Sequence, residues 1–523
     1  MHQCRPSASD PASFQFALTM ITLRLFPLFV LWVASLHAAD QPQWGQRWTR
    51  NLVSAERDLP DTFDVNTGKN IRWTAKIGTE THSTPIIADG RVYLGTNNGE
   101  PRDPNHQGDR GVLMCFNEKD GSLLWQLVVP KREEDRYHDW PKSGIASPAT
   151  VEGDRVYIVS NRGEVMCLDA RGLANGNDGP FRDEGVHATP RGPAAPPQPL
   201  EIGPLDADIL WLYDLTKGVG IWSHDAAHSS ILIHGNFLYV NTSTGVDNTH
   251  RKIRTPDAPS LVVIDKRTGR LVARDDEHIA PNIFHCTWSS PSLATVNGRP
   301  LVFFAGGNGI VYAFEPVAES AGNATAVATL KKVWEFDFDP AGPKTEVHRF
   351  TTNRAEGPSN IYGMPMFHEG RLYVAGGGDL FWGKNEAWLK CIDPTQTGNV
   401  TPTAQIWSYA LEKHVYGTPV LHEGLIYLAD CGRKFHCIEA ATGRPVWTHE
   451  INGEVWASPL VADGKVYLGT RSGAFYVFAT GREKRLLSES KLPKGMSATV
   501  TAANGTLYVA TMTHLYAVSQ DVK

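Results

Sequence analysis

His414–Trp447 reads HVYGTPVLHEGLIYLADCGRKFHCIEAATGRPVW, and its punctuation decides the fold. Four short strands are predicted, at Thr418–Leu421, Leu425–Ala429, Lys434–Glu439 and Pro445–Glu450. Gly424, Gly432 and Gly443 fall in the three turns between them, where a left-handed backbone costs glycine nothing. The two middle strands are almost continuous in apolar side chains, the pattern of strands buried on both faces. A sheet of that size cannot stand alone, so it needs like sheets to stack against.

The template recurs eight times. Its first strands are STPII, ASPAT, HSSIL, SSPSL, GMPMF, GTPVL, ASPLV and SATVT, and its second strands centre on Tyr93, Tyr157, Tyr239, Phe303, Tyr373, Tyr427, Tyr467 and Tyr508. The last full copies lie about 40 residues apart, the period of a propeller blade. Proline orders the strands. Six of the eight first strands carry it and Pro445 opens a fourth strand, whereas second and third strands hold none in their interiors. Proline cannot donate to a ladder, so strands one and four must be edges. The expected fold is an all-β, eight-bladed β-propeller of four-stranded antiparallel blades, with strand one lining the channel. The eighth copy stops after its third strand, and a spare fourth strand, Ile71–Ile77, precedes the first copy. Pairing it beside Leu515–Val518 would close the ring and leave no open edge.

Leu25–Leu36 is too short to cross a bilayer. With Arg24 before it and Leu36-His37-Ala38-Ala39 after it, the run reads as a secretory leader. Residues 1–39 are therefore expected to be a signal peptide, with translation starting at Met20. Residues 40–523 are expected to form a single propeller domain, periplasmic or secreted and without a membrane anchor. A net charge of −6 gives no case for nucleic acid. Cys115, Cys167, Cys391 and Cys437 share one repeat position, which Ala313 and Ala517 fill in other copies, so they are read as small buried residues. Cys431 and Cys437 are the one weighed disulfide pair.

Asn117-x-x-Asp120-Gly121-x-x-x-Trp125 and Glu439-x-x-Thr442-Gly443-x-x-x-Trp447 share one spacing, and Trp73, Trp211, Trp334 and Trp407 occupy other fourth strands. Such tryptophans suit packing between neighbouring blades. These units resemble the tryptophan-docking repeats of pyrroloquinoline-quinone (PQQ) type β-propellers, found in quinoprotein alcohol dehydrogenases and in the outer-membrane barrel-assembly lipoprotein. Gln43-Trp44-Gly45-Gln46-Arg47 with Leu59-Pro60 is similar to secreted members of that group. The resemblance spans nearly all of residues 40–523 and speaks for fold more than for activity.

In such a meander, the two-to-three loops and the segments leading into strand one emerge on the same face. Most insertions fall there: 97–111, 241–259 and 376–387 in the first class, and 131–144, 216–228, 274–288 and 340–362 in the second. The insertion 171–208, on the opposite face, is rich in Pro and Gly and reads as a mobile loop. Loops on a rigid ring gather binding residues, and a channel mouth is a natural ligand site. The candidate ligand-binding residues are His82, His138, Asp225, His228, His285, Trp288, Tyr362, His414, Tyr416 and Trp456. No catalytic set and no metal site is assigned. Asp225-x-x-His228 with His285 lacks ordinary zinc spacing, and Asp103, Asn105 and Asp109 are equally well explained by polar loop composition.

Two functional readings remain. One is a non-catalytic binding or scaffold propeller presenting the loop-rich face to a protein, glycan or small ligand. The other, implied by the resemblance, is a PQQ- and calcium-dependent dehydrogenase oxidising an alcohol or sugar. The first is preferred, because the chain has no vicinal Cys-Cys, no haem-attachment motif and no matched calcium carboxylate.

Overall fold

The computed structural model describes residues 39–132, 138, 140–191, 195–225 and 230–520. All but the last residue of the expected leader lies outside them. Eight sheets succeed one another along the chain, and each follows the template. In the sixth, Val420–His422, Leu425–Ala429, Lys434–Glu439 and Pro445–Glu450 form a meander with strands one and four at its edges. The first of these strands begins two residues later than expected. In the turn at Gly432 it is Arg433 that takes the left-handed backbone. The eighth sheet is completed by Ile71–Lys76, which pairs antiparallel with His514–Val518 in the register Trp73↔Ala517 and Ala75↔Leu515. The ring closes as expected, so no open strand edge is left at the junction.

The tryptophans explain the repeat. Each docks its Nε1 onto a backbone carbonyl of the next blade: Trp73 on Glu118, Trp125 on Ala170, Trp211 on Lys266, Trp334 on Pro394, Trp407 on Ala440 and Trp447 on Gly481. Within its own blade the indole packs against the second-strand aromatic, as for Trp447 and Tyr427 with ring centres 6.0 Å apart. The residue between them on the third strand must be small. Cys437 pairs with both Tyr427 and Trp447 across the ladder, and Cys115, Cys167, Cys391, Ala313 and Ala517 do the same in their blades. All six described cysteines are buried free thiols, so Cys431 and Cys437 do not pair. Blades three and seven lack the tryptophan. At blade three, Ala328–Thr329 adds a parallel outer strand beside Ala273; near blade seven, Phe63 packs edge-on against Phe475.

The inner strands are stitched by hydroxyls. Thr418 Oγ1 accepts from Met364 N, Ser458 Oγ from Thr418 N, Thr499 Oγ1 from Ser458 N and Thr84 Oγ1 from Thr499 N. Each bond crosses to the next blade and satisfies an edge N–H that would otherwise be orphaned. The segment from Gln41 to Glu56 then runs round the channel and contacts each blade in succession. Carbonyls of Gln41 and Pro42 accept from Ile87 and Val151, and Trp48 bridges Ile233 and Leu293. Thr49 meets Phe367, Asn51 bonds both backbone groups of Leu421, Leu52 meets Val461, and the Glu56 carboxylate accepts from Gly505 N. The Gln43–Arg47 stretch that the sequence singled out lies within this clasp.

The insertion 171–208 differs from its expectation. His187 Nε2 lies 3.0 Å from the buried Glu164 carboxylate, Arg110 donates to Ala188 O, and Phe181 packs on a core cluster. Its polar groups find partners on blades one and two, which composition alone could not show.

Candidate functional site

The segments leading into the first strands build the channel mouth. Each offers residues two apart to the channel, as Tyr416 and Thr418 do just before Val420–His422, and so makes two layers. The outer layer holds His82, Trp288, Tyr362, Tyr416 and Trp456; the inner holds Thr84, Thr418, Ser458 and Thr499. Together they wall a cavity of ≈ 150 Å³, and Trp44 of the clasp also lines it. The aromatic rings run in series: Trp288 to Tyr362 at 4.3 Å, Tyr362 to Tyr416 at 5.3 Å, Tyr416 to Trp456 at 4.9 Å and Trp456 to His82 at 5.6 Å. Arg471 stacks over the Trp456 ring, 3.8 Å from its centre, and donates to Ser497 Oγ, which lines the same cavity. The inner hydroxyls accept backbone N–H bonds and line the cavity, so each still has an O–H to donate.

Five of the ten candidate residues, His82, Trp288, Tyr362, Tyr416 and Trp456, therefore line one cavity. His414 stands behind the wall, 4.5 Å from the Tyr362 ring, and burial pulls its pKa down to about 4. His138 lies elsewhere, packed edge-on to Trp222 and lowered to about 3 by burial. His228 lies outside the described residues.

Asp225 and His285 belong to a second constellation on the far side of Trp288, whose ring centre is 5.1 Å from that of His285. There the loops entering blades three and four bring His224 and His285 together, with Nε2 atoms 3.1 Å apart. His250, from the second-to-third loop of blade three, packs within 4.8 Å of His224 and 5.2 Å of His285, ring centre to ring centre. Asp379, from the same loop class in blade five, is fully buried and 2.9 Å from His285 Nδ1. It also accepts from Tyr362 OH and from the backbone N–H groups of Phe381 and Trp382.

Burial alone would raise the Asp379 carboxyl, but His285 and these donors hold it well below the carboxylate range. Burial opposes a charge on His285, yet the Asp379 carboxylate raises it. His224 is pulled down to about 4, chiefly by burial. Sequence reasoning missed His224, His250, Asp379 and Trp44. Three sit inside loops already marked as insertions, but nothing local singles them out, because their partners come from other loops.

The cofactors implied by the sequence resemblance meet a poor fit at the cavity. PQQ is a carboxylated quinone, and none of the cavity-lining side chains is Arg or Lys. Asp109 lies 3.6 Å from Lys131 Nζ and accepts from Lys142 N, while Asp103 caps its own turn through Asn105 N. Asp103, Asn105 and Asp109 thus have local partners rather than a shared calcium-binding focus.

A ring of eight blades, most of them docked by tryptophan, around an aromatic channel mouth defines a PQQ-type β-propeller. The chain belongs to the family described as outer membrane protein assembly factor BamB, whose model matches residues 49–129, 109–326 and 385–521. No curated protein matches the chain. Among solved structures, BamB from Moraxella catarrhalis aligns with a TM-score of 0.52 at 14% identity, covering 85% of this chain and 98% of that one. A europium-containing methanol dehydrogenase aligns at 0.45 and 12% identity, covering 90% and 89%. A computationally designed protein, Ika8, aligns at 0.46 and 11%, covering 90% and 99%. The first likeness is one of fold.

Proposed function

We propose that this chain is an exported binding propeller, non-catalytic, which holds a small neutral ligand at its channel mouth and presents the surrounding loops to a partner. The observation that carries this reading is the cavity itself: an aromatic wall contributed by successive blades above a layer of hydroxyl donors. Flat rings suit the C–H face of a sugar or a small planar molecule, and the O–H groups suit its oxygen acceptors. A volume of ≈ 150 Å³ is about half the low end, ~300 Å³, of drug-sized sites, which favours a ligand of monosaccharide size. The leader-like run Leu25–Leu36 and the family description support export. The dehydrogenase reading would need cationic partners for the quinone carboxylates that the cavity lining does not supply.

The test titrates purified protein with a monosaccharide panel and, separately, with PQQ plus calcium, following tryptophan fluorescence and heat. A sugar that binds wild type and loses at least tenfold in affinity with Trp456→Ala is the expected result. Dye-linked oxidation of an alcohol by the PQQ-loaded protein would establish the dehydrogenase instead. If no sugar binds, or if Trp456→Ala binds like wild type, the cavity is not the ligand site.

A further inference from the structure

Behind Trp288, the histidine cluster has the arrangement of a metal centre that neither the fold nor the cavity requires. Zinc bonds to imidazole at ~2.0–2.1 Å, which separates two tetrahedral donors by ~3.3 Å. The Nε2 atoms of His224 and His285 are 3.1 Å apart. Asp225 Oδ1 lies 3.5 Å from the first and Asp225 Oδ2 lies 3.9 Å from the second. A nitrogen of His250 completes a set in which the three imidazole donors lie within 4.8 Å of one another. Three imidazole donors from three separate loops therefore face one another, with the Asp225 carboxylate beside two of them.

The surroundings match as well. Metal-binding histidines typically give their second nitrogen to a carboxylate, which fixes ring orientation and tautomer. His285 does this with Asp379, and Asp379 is itself fixed by Tyr362 and two backbone N–H groups. Asp225 Oδ1 is buried and accepts no hydrogen bond from the described residues, a cost that a cation would remove.

We propose that His224, His250, His285 and Asp225 bind one divalent late first-row metal ion, zinc being the reference case, with Asp379 as the positioning residue. Three imidazoles and one carboxylate suit zinc, copper and nickel and disfavour calcium or magnesium. The ion would tie together the loop entering blade three, the second-to-third loop of that blade and the loop entering blade four, beside the cavity wall.

The experiment dialyses the purified full-length chain against chelator, then titrates it with zinc chloride by calorimetry and with cobalt chloride by visible absorption. The expected result is one zinc per chain and cobalt ligand-field bands typical of a tetrahedral site. His250→Gln changes a partly exposed loop residue, so it should keep the metal-free melting temperature while losing at least a hundredfold in zinc affinity. Asp379→Asn should weaken binding 10–100-fold. His278→Gln, at a histidine 73% exposed and facing Asp276, should bind like wild type. Absence of stoichiometric zinc in wild type overturns the proposal. So does equal affinity in the His250→Gln and His278→Gln variants.

Discussion

A Cβ placed on Gly443 would lie 2.6 Å from the indole of Trp407, in the preceding blade. The same contact links Gly121 to Trp73 and Gly269 to Trp211, each at 2.5 Å. The turn glycine of the repeat thus has two duties. Its φ of 71° disfavours any side chain, and the neighbouring tryptophan occupies the space where one would go.

Gly424 separates the two duties, since it has a φ of 75° and nothing lies within 4 Å of where its Cβ would be. Gly424→Ala should therefore cost only the left-handed penalty, ~1–2 kcal/mol. Gly443→Ala should cost that plus displacement of the Trp407 indole, ~3 kcal/mol or more in total, as for overpacking. Paired denaturant titrations check this. Equal losses would show that the tryptophan contact does not constrain the turn.

Arg50 carries the clasp. Its guanidinium is fully buried and donates to Pro291 O, Trp44 O, Ser230 Oγ and Ser230 O. Burial lowers its pKa to about 9, so it stays charged at neutral pH with neutral oxygens as these hydrogen-bond partners. Arg50→Met would leave those carbonyls without donors, at ~1–3 kcal/mol each. The expected loss is ~3 kcal/mol or more in urea unfolding, with Arg50→Lys intermediate because an ammonium cannot reach all four acceptors. An unchanged midpoint for Arg50→Met would mean that the clasp contributes nothing to the ring.

Glu164 sets an acid limit on the docked insertion. Burial raises its pKa, but His187, Arg162 and Ser160 outweigh it and bring it from 4.5 down to about 2. A depressed carboxyl contributes stability that is complete above its unfolded pKa and is lost as pH falls towards the folded one. The window here runs from about pH 4.5 down to about pH 2. The shift corresponds to ~3 kcal/mol at neutral pH. Proteolysis within 171–208 should therefore rise steeply as pH falls through that window, and Glu164→Gln should show the raised rate already at pH 7. A variant with wild-type protection at pH 7 would remove the clamp.

What was legible follows from range. The blades were readable because a turn glycine, an edge proline and a fourth-strand tryptophan act within about 40 residues, and period-two alternation exposes the channel face. The aromatic wall was readable for the same reason, since Trp288, Tyr362, Tyr416 and Trp456 hold equivalent places before their first strands. The His224–His250–His285 group was not, because it joins three loops and is oriented by Asp379, 94 residues from His285. Nor did the docked insertion show itself. Its Pro- and Gly-rich composition hides the His187–Glu164 contact that anchors it.

The strongest test of the architecture removes residues 40–80. That deletion takes away Ile71–Lys76, leaving His514–Val518 as an unpaired edge. It also removes Val53–Ser54 from beside Leu460–Ala462 and the contacts by which Gln41–Glu56 joins the inner strands. An exposed, regular strand edge is a template for intermolecular pairing, and the loss of Trp73 takes the indole from the junction of the eighth and first blades. The truncated chain should therefore elute as soluble aggregate or precipitate, and it should lack a single cooperative melt. Restoring residues 66–80 alone should rescue the edge but not the clasp, giving a monomer that melts well below the full chain. A monomeric deletion product with a cooperative transition near that of the full chain would show that the ring does not depend on its first segment.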